Sequence, residues 1–81
     1  MTDSAIAARI VNALEAAADR EAGQKTQLVS VTLDMLARAD AGAIETALVR
    51  KTRTLVFMTA EFRTDGGERI VAASSVHKVR Q

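Results

Sequence analysis

The amino-acid sequence predicts an α+β domain in which one long N-terminal helix packs on a four-stranded antiparallel sheet. Three observations predict it. The first 22 residues form an alanine-rich stretch in which Ile6, Ile10, Ala13, Leu14 and Ala17 recur at three- and four-residue spacing, one stripe of a helix. From Leu28 onward apolar and polar residues alternate in four successive runs, the period of half-buried strands. Asp65-Gly66-Gly67 separates the last two runs, and glycine supplies the positive φ that tight hairpins need.

Each element follows in order. Asp3 or Ser4 is the expected N-cap, since a short side-chain oxygen can accept an early helical N–H. Gly23 is the expected stop, and the helix is predicted over Ser4–Ala22. The first strand is expected near Gln27–Leu36, with Val29, Val31, Leu33 and Met35 on one face and Ser30, Thr32 and Asp34 on the other. Ala37–Gly42 reads as a small-residue turn. The second strand is expected over Ala43–Lys51, with Ile44 and Leu48 opposite Ala47 and Val49. The third is expected over Arg53–Arg63. It carries Val56, Met58, Ala60 and Phe62 on one face and Leu55 and Phe57 on the other. The fourth is expected over Glu68–Val79.

The third strand has large apolar side chains on both faces, and one helix covers only one face of a sheet. Burying a Phe or Leu is worth about 1.5–3 kcal/mol, so the second face is expected to find a partner. A free sheet edge points the same way. A homodimer or homotetramer is therefore expected.

Composition narrows the function. Eighty-one residues suit one domain, spanning 1–81. The absence of Cys excludes disulfides, thiol nucleophiles and cysteine metal sites, and a cytoplasmic location is the default expectation. No apolar run approaches the roughly 20 residues of a membrane span, so no membrane partner is expected. A net charge of +1, without Trp or Tyr, argues against nucleic acid. His77 is the lone histidine, has no companion for a metal or a triad, and reads as structural or exposed. No metal site and no cofactor are expected.

The order of elements, with three segments, carries a resemblance. Val29–Leu36 followed by Ala37–Gly42, then Val49–Phe57, then Asp65–Ala72, together resemble the strands of hotdog-fold thioesterases. The similarity is greatest to the phenylacetic-acid-degradation type, which hydrolyses acyl-coenzyme A. The resemblance implies a hotdog-like domain shortened at its N-terminus, with a coenzyme A thioester as substrate. In that family a His-Gly-Gly motif precedes a carboxylate on the helix. Here Asp3-Ser4-Ala5 falls at the motif and Asn12 at the acid, while a shift of about one turn offers Glu15. Asn12 and Glu15 are thus the candidate catalytic residues. Only Glu15 could act as a base, because an amide has no useful pKa near neutrality. The resemblance also implies that the helix N-terminus polarises the thioester carbonyl. Arg50, Lys51 and Arg53, the densest basic cluster, would contact the phosphates of coenzyme A. The alternatives are a non-catalytic oligomerisation or ligand-binding module, and a basic surface for an anionic partner.

Overall fold

The computed structural model describes residues 2–80. Helix α1 spans Asp3–Ala22, followed by β1 (Thr26–Met35), β2 (Ala43–Lys51), β3 (Leu55–Arg63) and β4 (Arg69–Val79). The sheet is antiparallel, in the order β1-β4-β3-β2. The expected α+β architecture is the observed one.

The helix begins one residue earlier than expected, and its cap is neither Asp3 nor Ser4. Thr2 is extended (φ −78°, ψ 160°), and its Oγ1 accepts the N–H of Ala5 at 3.1 Å. Asp3 is already helical, and its carboxylate lies in the first turn where the helix dipole favours a negative charge. At the other end Gly23 is left-handed (φ 71°), and its N–H reaches the carbonyls of Asp19 and Arg20, which ends the helix.

Ile6, Ile10, Leu14, Ala17 and Ala18 form the buried face of α1. They meet Val56, Met58, Ala60 and Phe62 of β3 and Val71, Ala73 and Val79 of β4 in one core. The alternation read in β3 is thus observed on the face it predicts. The alanines let helix and sheet approach closely.

Two strands carry β-bulges, and the one in β1 corrects an assignment. In β1 the pairing with β4 slips between Leu28 and Ser30, and in β2 the pairing with β3 slips between Leu48 and Arg50. One extra residue reverses the side-chain parity that follows it. Leu28, not Val29, therefore shares the helix-facing side with Val31 and Leu33, and Val29 is 58% exposed. Val49, at the β2 bulge, is 63% exposed and lies on the outer face, opposite Ile44 and Leu48 as expected.

The segment after β1 is not a hairpin turn. Because β1 and β2 occupy opposite edges, residues 36–42 cross the end of the sheet beside the helix N-terminus. The N–H groups of Leu36 and Ala37 both donate to the carbonyl of Ile70, which anchors the crossover to β4. β3 starts at Leu55 rather than Arg53. Thr52 closes a turn there, its N–H bonding the Leu55 carbonyl at 2.8 Å and its Oγ1 accepting the Leu55 N–H at 3.0 Å. In the β3–β4 hairpin only Gly67 has a positive φ (88°).

Candidate functional site

The helix ends define the two poles of the molecule, about 30 Å apart for 20 residues at 1.5 Å each. At the N-terminal pole, a depression of about 290 Å³ is lined by Asp3, Met35, Leu36, Ala37 and Arg38. Thr2 satisfies the Ala5 N–H, and Asp3, the first residue of the helix, lines this opening at the positive end of the helix dipole. Arg38 approaches Asp3 across the surface at 4.0 Å, and both side chains are largely exposed. Arg38 was not singled out by the sequence. It lies in an irregular segment, and its proximity to the helix depends on the crossover.

The candidate phosphate-binding residues lie at the opposite pole. Lys51 donates from Nζ to the carbonyl of Glu21 at 2.7 Å, so it caps the last turn of α1. Arg50 sits beside Phe57 on the outer face of the sheet, and Arg53 in the β2–β3 turn; both are exposed. A single chain therefore does not bring Arg50, Lys51 and Arg53 to the helix N-terminus.

Asn12 and Glu15 are exposed on α1. They lie about 13 and 18 Å along the axis from Asp3, at 1.5 Å per residue, and neither lines the N-terminal depression.

Beneath the helix lies a polar pair. His77 and Ser75 face inward from β4, both buried, with Nε2 2.7 Å from Ser75 Oγ. The His77 Nδ1 has no partner among the described residues. Burial holds the imidazole pKa below its ordinary value, and the nearby Glu15 and Asp19 carboxylates oppose that shift. Asp19 is itself held below the usual carboxylate range by hydrogen bonds from Thr26, Oγ1 at 2.7 Å and N–H at 2.8 Å. The pair is closed off from solvent, which suits a structural role.

This burial has a pH signature. A histidine with a lowered pKa in the fold takes up its proton more readily when unfolded. The stability it allows is complete above about pH 6.5, the unfolded value, and is lost as pH falls from there through the folded value. Urea unfolding midpoints measured between pH 8 and pH 5 should decline below about pH 6.5. His77→Leu should flatten that decline, and an unchanged slope would assign it to other groups.

Among the described residues no group of His, Cys, Asp or Glu is placed to hold a metal ion, and no helix is long and apolar enough to cross a membrane.

No family model matches this chain, and no curated protein matches it. Solved structures do. The BH2602 protein of Bacillus halodurans, crystallised with CoA, is similar over 100% of this chain and 56% of its own, with a TM-score of 0.89 at 13% identity. A protein of the thioesterase superfamily is similar over 82% of this chain and 52% of its own, with a TM-score of 0.70 at 13% identity. A phenylacetic acid degradation-related protein from Ralstonia eutropha JMP134 follows, over 70% of this chain and 44% of its own, with a TM-score of 0.62 at 24% identity. The chain shares the fold of these structures, the hotdog fold that its segments suggested. It spans about half the length of these structures.

Proposed function

We propose that the chain is an acyl-CoA thioesterase-like module that works as a homo-oligomer. The observation that carries the reading is the helix N-terminus opening into the depression beside Arg38. Backbone N–H groups there are suited to a thioester carbonyl, whose oxygen gains negative charge when water adds. The CoA in the BH2602 structure supports a CoA thioester as ligand.

The poles of one chain are too far apart to hold the whole of such a ligand. A second copy running antiparallel would set Arg50, Lys51 and Arg53 of one subunit near the helix N-terminus of the other. The same arrangement would let Glu15 act across the boundary. Glu15 would accept a proton from water as its oxygen attacks the carbonyl. The tetrahedral intermediate would then expel the coenzyme A thiolate, which takes up a proton. Asn12 could orient that water but not deprotonate it.

One observation favours the non-catalytic alternative. Asn12 and Glu15, the candidate catalytic residues, lie outside the depression. Release of free thiol from short, aromatic and long acyl-CoAs, with CoA binding followed by calorimetry, decides between them. Hydrolysis that is lost in Glu15→Ala while the oligomer persists supports the enzyme. CoA binding without hydrolysis supports a ligand-binding module. Absence of both overturns the proposal.

A further inference from the structure

Ser75 and His77 are the buried polar side chains among the described residues, 3% and 0% exposed. Nε2 of the ring is engaged by Ser75, while Nδ1 is buried with no partner among the described residues. The hydrogen-bond network assigns the tautomer. A bare lone pair in the core costs less than an unmatched N–H, so the neutral ring carries its hydrogen on Nε2 and donates it to the Ser75 Oγ.

Two carboxylates of α1 overhang this ring. Asp19 accepts the N–H and Oγ1 of Thr26, which fixes its flank of the helix above the start of β1. Glu15 lies on the same flank four residues earlier, about 6 Å back along the axis. Two residues into β1 from Thr26, about 6.6 Å in the same direction, Leu28 pairs with His77. The helix thus carries Glu15 over His77, and both carboxylates act on the imidazole, Glu15 more strongly than Asp19. Ala18, on that flank between them, is fully buried and extends only a methyl group. The other neighbours bring no charge to the ring, for β1 and β3 place Leu28 and Val56 beside it. Lys25, in the connector, bears on Asp19, and Lys51 of β2 is engaged at the Glu21 carbonyl.

Protonation changes what the ring requires. An imidazolium donates from both nitrogens, so Nδ1–H needs an acceptor, and a buried charge without one is costly. Asp19 is already committed to Thr26. Glu15 is exposed one turn away and has no side-chain partner among the described residues. We propose that His77 is a proton-operated catch for Glu15. The neutral ring turns a lone pair toward the helix and leaves the carboxylate at the surface; the imidazolium draws it inward to an Nδ1–H···O bond. That the catch withdraws a catalytic base in acid rests on the acyl-CoA reading, whereas the catch itself does not.

Nuclear magnetic resonance on the full chain tests it, following the ring nitrogens and the Glu15 side chain from about pH 8 to about pH 4. The neutral ring should show the Nε2–H tautomer. As it titrates, Overhauser contacts between the Glu15 side chain and the His77 ring should appear. Glu15→Gln, a change at an exposed position, should lower the midpoint of the ring's titration by at least about half a unit, a roughly threefold loss of proton affinity. Glu21→Gln, in the last turn of the helix, should leave that midpoint in place. A neutral ring protonated on Nδ1 overturns the catch. So does a titration that brings no contact with Glu15, a midpoint unmoved by Glu15→Gln, or loss of the native fold before the ring titrates. Any acyl-CoA hydrolysis should fall in acid with the same midpoint as the ring. A chain that shows the contact and hydrolyses no acyl-CoA keeps the catch and overturns only the role of Glu15 as a base.

Discussion

Phe62→Ala lowers the unfolding free energy by about 3–5 kcal/mol, the usual loss for truncating a buried aromatic ring. Phe62 is fully buried and pairs across the sheet with Ile44 on one side and Val71 on the other. The Arg9 guanidinium lies over its ring at 5.5 Å from the centroid. The other Phe, Phe57, lies on the opposite face of the sheet, and there is no Trp or Tyr, so no second large aromatic side chain can fill the space. A domain of 81 residues is stabilised by roughly 4–12 kcal/mol at 0.05–0.15 kcal/mol per residue. The loss is therefore a large share of the whole. Chemical denaturation should show a much lower midpoint with the same denaturant dependence. A shift worth less than 1 kcal/mol would mean that this ring is not the centre of the core.

Gly42→Val is expected to destabilise by at least 1–3 kcal/mol, through crowding rather than a hole. A Cβ on Gly42 would collide with the Arg63 carbonyl and with the Phe62 ring. The φ of Gly42 is not positive, so the glycine is required by close approach and not by turn geometry. It sits where the crossover from one sheet edge to the other passes against β3. Backbone cannot yield as a side-chain tip can, and the ring is held on all sides. Thermal unfolding should show a clear fall in melting temperature for Gly42→Val. Gly66→Val, at a position open but for a distant Thr64 hydroxyl, should be far milder.

Much of the fold was legible because local signals agreed. The helical stripe from Ile6 to Ala17 and the alternation from Val56 to Phe62 each survive without interruption. What escaped sequence reasoning depends on single residues or distant pairings. Thr2, Asp3 and Ser4 are all able caps, and only backbone conformation selects Thr2. A bulge leaves no mark when the residues around it, Leu28-Val29-Ser30 and Leu48-Val49-Arg50, would suit either face. The crossover is invisible because small polar residues serve hairpins and long connections alike.

The candidate site divides in the same way. The exposure of Glu15 and Asn12 follows from their place opposite the helical stripe. The role of Lys51 does not, because its contact with Glu21 joins residues 30 apart in the chain. Arg38 meets Asp3 only after the crossover has formed. Alternation placed His77 on the same face as Ala73 and Ser75, but only packing shows that this face is the covered one.

The bulges at Leu28/Ser30 and Leu48/Arg50 lie on the two outermost strands, each with one side unpaired among the described residues. Each kinks its margin and breaks the regular ladder that another molecule would need for endless strand addition. A chain with no proline to blunt its margins has this irregularity in its place. Such margins disfavour fibril growth and leave the molecule free to form small, finite assemblies.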